Sequence, residues 1–270
     1  MHPSRTWAIA LRQFYLLRGS PIRILPLFIW VAIDILLWGF ITKYLNSMAA
    51  GTNFIPILLG AVLLWDFFSR VMHGIATSFF EDVWSRNFLN IFASPLQITE
   101  YLGGLVLTSI LTSTVGLLVM LLLATLGFGL PMFVYGVATI PFILVLFLFG
   151  VALGITGTAL VLRFGPAAEW FVWPIPAMIS PFAGVFYPIA TLPEWMQYLA
   201  YALPPSYVFE ALRGIVAGQP VNLNYLAIST VLAVFYVLLC GWYFRSVYRR
   251  AVRTGLLARY SAESASSLES

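Results

Sequence analysis

Residues 101–162 read YLGGLVLTSILTSTVGLLVMLLLATLGFGLPMFVYGVATIPFILVLFLFGVALGITGTALVL, without one charged side chain. A helix needs about 20 apolar residues to cross the hydrocarbon of a bilayer, so this run is too long for one crossing. Gly127, Gly129 and Pro131 interrupt it. They predict a tight turn between two spans, 101–126 and 132–162. Gly150 and Gly154 put a GxxxG pattern in the second span, which lets a neighbouring helix approach closely.

The rest of the chain extends the pattern. Its 270 residues are 61% hydrophobic, 16% aromatic and 9% charged, with a mean hydropathy of +0.94. A soluble domain carries about a quarter charged residues. This much apolar surface does not fit inside a water-soluble fold of that length. The sequence predicts an all-α membrane protein with six transmembrane helices. The other four spans fall at 24–42, 54–77, 170–187 and 225–244. The one at 170–187 carries Pro174, Pro176 and Pro181 and is expected to be kinked within a bundle. Residues 192–203 and 207–216 are apolar but too short to span, and read as re-entrant or interfacial helices broken by Pro204-Pro205. Residues 4–20 place Trp7, Leu11, Phe14 and Leu17 at helical spacing, with Arg5, Arg12 and Gln13 on other faces, as an N-terminal interfacial helix does. Residues 1–260 form one transmembrane domain. The serine-rich 261–270 reads as a disordered tail.

Six spans put both termini on one side. Arg5, Arg12, Arg18 and Arg23 precede the first span, and Arg245, Arg249, Arg250, Arg253 and Arg259 follow the last. Arg86 and Arg163 fall on the same side, against Lys43 and Arg213 on the other. The positive-inside rule then places both termini in the cytoplasm of a multi-pass protein of the cell membrane. The net charge of +4 is explained by these membrane-face arginines, so no nucleic-acid partner is expected. Cys240 is the one cysteine, and the two histidines, His2 and His73, form no metal-binding spacing, so no metal site is expected. No cleavable signal peptide is expected, because arginines interrupt the first residues.

One polar stretch stands between greasy flanks: FFEDVWSRNFLNIFASPL, residues 79–96. Ser78 and Glu81 have the spacing of a capping box, which predicts a new helix there. Trp84, Phe88 and Ile91 or Phe92 share one face, while Asp82, Arg86 and Asn90 take others. Pro95 ends the helix at Ser94. Such a helix could rest on lipid. Its acids Glu81 and Asp82 sit poorly against anionic headgroups, and a cytoplasmic protein partner accounts for aromatics and carboxylates together.

Asp34, Asp66 and Arg70 fall inside spans, where each costs about 2.5–3.5 kcal/mol facing lipid. They are expected to face the bundle interior or a water-filled path. Asp66 and Arg70, four apart, can pair, and Asp34 could instead pair with Arg70. Such a pair either neutralises itself and fixes packing or lines a substrate route. Glu210 and Arg213, three apart, are candidates for a gate at the outer side. Trp38, Trp65, Phe67, Phe68, Trp195 and Tyr207 fit an interfacial belt as well as substrate contact.

The stretch 79–96 after the second span, ending in Ser94-Pro95-Leu96 with an acid at Glu100, resembles the coupling helix of ABC type-2 transporter permeases. Residues 191–214, TLPEWMQYLAYALPPSYVFEALRG, are similar to the re-entrant region of that family: Leu192-Pro193, Trp195, Pro204-Pro205 and Glu210-Ala211-Leu212-Arg213. Asn87 departs from the glycine found in many relatives. The resemblance implies a transmembrane subunit of an ATP-driven exporter in a bacterial inner membrane, with a substrate path and, as partners, a second permease copy and a separate ABC ATPase. Contact with the ATPase falls to Glu81, Asp82, Trp84, Arg86, Phe88, Asn90, Ser94 and Pro95. The path or its gate falls to Asp34, Asp66, Arg70, Glu210 and Arg213. The chain has no GxxxxGK[ST], so ATP and Mg would be bound by the partner, with no cofactor on this chain. Neither GxSxG nor HExxH occurs, which leaves no motif for a membrane enzyme. An ion-coupled secondary transporter or channel using Asp34, Asp66 and Arg70 is the alternative, as is an anchor that only recruits an ATPase.

Overall fold

The computed structural model describes residues 2–19, 21–48, 54–85, 91, 94–131 and 135–254, and every regular element among them is helical. In chain order they are α1 (Pro3–Arg18), α2 (Pro21–Met48), α3 (Ile55–Trp84), α4 (Ile98–Phe128) and α5 (Ile140–Phe164). Two short pieces follow, α6 (Glu169–Val172) and α7 (Ile175–Ile179), then α8 (Glu194–Tyr201), α9 (Pro204–Val216) and α10 (Leu223–Arg253). Single 3₁₀ turns precede α5, α6 and α8. The expected tail, 261–270, lies outside the described residues.

Five stretches are long and apolar enough to cross a membrane: Ile29–Met48, Ile55–Trp84, Ile98–Phe128, Val137–Phe164 and Leu223–Arg253. The helix expected over 170–187 is not among them. Prolines at 174, 176 and 181 each remove an N–H donor and crowd the preceding turn, and the chain answers with α6, α7 and a run of turns. This broken segment still travels along α3. Val172 packs in one cluster with Ile75, Ala76 and Phe79, whereas Ala183 and Val185 pack in another with Ala61, Leu64 and Phe68. Pro204-Pro205 opens α9 rather than merely separating two helices, which fits proline's tolerance in a first turn. At 13 residues α9 is about 20 Å long, and Val208, Phe209 and Leu212 are buried in the bundle.

A second correction concerns α3. It runs unbroken from Ile55 to Trp84, so no new helix starts at Ser78. No glycine or proline follows Gly74 to stop it. Thirty residues make about 45 Å of helix against about 30 Å of hydrocarbon, so it is longer than an upright crossing requires.

Helix α3 contributes to all three large core clusters and is the most enclosed of the five long helices. Lipid tails are as apolar as leucine, so helix association depends on close contact and hydrogen bonds. The GxxxG pattern supplies the contact: a Cβ at Gly154 would lie 3.0 Å from the Ile75 Cβ and from the Met72 carbonyl oxygen. Ser109 of α4 supplies a bond, its hydroxyl donating to the Val71 carbonyl at 2.8 Å. At the far end of α4, Gly129 takes the left-handed conformation (φ 69°) that ends the helix at the predicted turn.

Candidate functional site

Helix α1 meets the end of α3 and the start of α4. Arg5 and Arg12 are seven residues apart, hence on one side of α1. Trp7, Leu11, Phe14 and Tyr15 are exposed on the surface away from the protein, while Ile9, Ala10 and Gln13 are buried. Gly104 of α4 makes the crossing possible, since a Cβ there would come within 2.5 Å of the Ile9 Cβ.

Two acids, with Arg5 and Arg12, clamp α1 to α3 and α4. Asp82, in the last turn of α3, is 1% exposed. The Arg12 guanidinium donates to both its oxygens at 3.0 and 2.5 Å, and the buried Tyr101 hydroxyl donates at 2.7 Å. Burial works to lower the pKa of Arg12. The hydrogen bond and charge of Asp82 outweigh it, with smaller help from Tyr101 and Glu81, and hold Arg12 above its ordinary value. Glu100, in the first turn of α4, is fully enclosed. It accepts the backbone N–H of His2 at 2.6 Å and that of Gln97 at 3.1 Å, with Arg5 at 3.5 Å.

Between these acids lies the stretch expected to meet a partner. Arg86, Phe88 and Asn90 fall outside the described residues. Ser94 and Pro95 form an exposed turn in which the Ser94 hydroxyl donates to the Ile91 carbonyl. Arg5 donates to the Pro95 carbonyl at 2.5 Å. Ile91 and Leu96 pack against the main core cluster. Trp84 is 52% exposed and leans on the buried Phe80, ring centroids 6.2 Å apart. Glu81 is half-buried. Asp82, expected at the partner contact, is enclosed by Arg12 and Tyr101 in this chain. It anchors the base of the stretch instead.

Midway along α3, Arg70 bonds Asp66 through two nitrogens, the Nη2 contact at 3.1 Å. Arg70 rests in the notch left by Gly116 of α4. His73 continues the same face of α3, its Nε2 3.2 Å from the Trp173 carbonyl and its ring 4.9 Å from the Trp173 ring. Trp173 in turn donates to Glu169 at 3.1 Å. Asp34 of α2 is close enough to feel the charges of Asp66 and Arg70, yet makes no hydrogen bond or ion pair among the described residues. The pairing of Arg70 is therefore with Asp66.

The opposite end of the bundle carries Glu210 and Arg213, 3.0 Å apart. Glu210 also accepts the Ile189 N–H at 2.8 Å, and Arg213 reaches the Val185 carbonyl at 3.5 Å. Both charges thus pin the turn at Gly184, whose φ of +59° suits glycine. A polar recess of about 310 Å³ lies alongside, lined by Glu210, Arg213, Gln219, Asn222 and Tyr225.

Residues 5–217 match the family model described as ABC-2 type transporter. The chain belongs to that family. No curated protein matches it. The match runs from α1 through α9 and so covers the clamp, the broken segment and the pair at Glu210 and Arg213. An ABC-2 permease is the membrane subunit of an ABC transporter and not itself the catalytic one, and the family implies an ABC ATPase as partner. This permease is a multi-pass membrane protein by its apolar helices and by its family.

Sequence reasoning found the Asp66–Arg70 and Glu210–Arg213 pairs, because helical spacing places them together. It missed the clamp. A signal was present in two arginines on one side of an amphipathic helix and two acids, Asp82 and Glu100, bracketing the polar stretch.

Proposed function

We propose that this chain is the transmembrane subunit of an ATP-driven exporter, with two copies enclosing the substrate path. Each copy engages a separate ATPase, which carries ATP and Mg, through residues 84–95. Both termini and this stretch lie in the cytoplasm of a bacterial cell. The sixth crossing is the broken segment 166–187, which runs the length of α3 in pieces. Asp34, Asp66, Arg70 and His73 face the path, and the aromatic side of α1 lies on the membrane surface.

The observation that carries the reading is the grip of α1 on both sides of residues 85–94. Arg12 holds Asp82 before the stretch, and Arg5 holds the Pro95 carbonyl after it. A push on the stretch is thereby delivered to α1, α3 and α4 as one block. Closure of two ATPases would tilt that block and shift the path between its two open states. Trp84, exposed at the rim, is the apolar anchor for the partner.

The test is reconstitution with the cognate ATPase. Trp84→Ala is expected to lose most of the co-purified ATPase and of its substrate-stimulated hydrolysis. Unchanged binding together with unchanged hydrolysis would remove the coupling role. Flux that persists after ATP is depleted would favour gradient-driven transport instead.

A further inference from the structure

The mid-span charges do not cancel. Asp66 takes Arg70 through two bonds, an arrangement in which one guanidinium serves one carboxylate. Asp34 makes three groups with two negative charges and one positive. It is half-buried, and no hydrogen bond or ion pair reaches it from the described residues. An ionised carboxylate left so in hydrocarbon costs about 2.5–3.5 kcal/mol, so among the described residues the site is short of one cation.

Its surroundings say which kind. Trp30 and Trp38 stand four residues before and four after Asp34, on the same side of α2. Trp38 is fixed by stacking on Phe186 of the broken segment, centroids 4.5 Å apart at 13°. Trp30 is exposed. An indole face attracts cations, most of all weakly hydrated organic ones. A carboxylate between two tryptophans suits a cation with an apolar body: the charge meets Asp34 and the body meets the rings. A small hydrated metal ion would want several oxygen ligands, and among the described residues no cluster capable of holding a metal occurs.

We infer that Asp34, flanked by Trp30 and Trp38, is a recognition site for amphipathic organic cations. This names a cargo class for the exporter and rests on that reading for its purpose. Binding itself does not require the ATPase. Asp66 adds negative potential at the site and Arg70 limits it, so that one cationic charge is matched.

The experiment uses the purified full chain in lipid nanodiscs, with empty nanodiscs subtracted. The probes are tetraphenylphosphonium and tetraphenylborate, two ions of one shape and opposite charge. Saturable binding of the cation is expected, at least tenfold weaker in Asp34→Asn and within threefold of the parent in Asp34→Glu. Trp38→Leu should weaken it severalfold. Equal binding of both ions, or an Asp34→Asn protein that binds as the parent does, overturns the inference. Thermal melts check that each variant is folded, and Trp30→Leu serves if the Asp34 variant is not: undiminished binding there also overturns the inference. A second arm adds the ATPase. Binding that depends on Asp34 without any stimulation of hydrolysis keeps the site and sinks the exporter reading. Stimulation without such binding does the reverse.

Discussion

Asp82 and Asp34 are the same side chain in two settings on adjoining helices. Asp82 closes the last turn of α3, is sealed from solvent, and has a guanidinium on both oxygens and a phenol besides. Asp34 sits mid-helix in α2, half-buried, beside an ion pair in which the arginine bonds Asp66. The first has every demand met from within the chain, so it can only hold structure together. The second has a demand the described residues do not meet, so it is open to something beyond them. Hydropathy alone marks Asp34 as the odder residue, yet Asp82 is the one on which the bundle depends.

Stability measurements in detergent should separate the two. Arg12→Ala leaves Asp82 buried without its cation and is expected to cost about 3–5 kcal/mol, read as a lowered unfolding midpoint. Tryptic cleavage within α1 should rise with it. Gly104→Ala attacks the same junction by sterics, forcing Ile9 away from α4, and is expected to cost about 1–3 kcal/mol. Tyr101→Phe removes one hydrogen bond to the Asp82 carboxylate and should cost about 1.5 kcal/mol. Asp34→Asn breaks no bond among the described residues and relieves an uncompensated charge, so it is expected not to lower the midpoint. A large loss from Asp34→Asn, or none from Arg12→Ala, would break the contrast.

The sequence made the long spans legible because charge-free runs of that length have few other uses. The mid-span pair was legible too, since four residues along a helix bring Asp66 to Arg70 whatever else happens. The extent of α3 was hidden by Ser78 and Glu81, which imitate a helix start where no breaker follows. Three prolines announced trouble at 174–181, but local reading expected a kink and the outcome was a helix in pieces. The clamp was beyond local reading altogether: Arg12 and Asp82 lie 70 residues apart, and His2 and Glu100 lie 98 apart. Such pairs follow from how α1 crosses α4, a packing fact with no period in the sequence. Asp34 stands out in the sequence for the cost of its charge, while its lack of a partner among the described residues depends on Arg70 bonding Asp66, which the sequence leaves open.

The central claim is that the ATPase works on the end of the bundle where α1 is clamped. Cys240, buried and free, is first replaced by alanine. A cysteine is then placed at exposed Ser94, beside the clamp, or at exposed Gln219, at the opposite end, and labelled with benzophenone-maleimide. Illumination of the complex should join the ATPase to the label at 94, with a yield that changes on ATP binding, and leave the label at 219 unlinked. A link at 219, or none at 94 in an intact complex, would contradict the account.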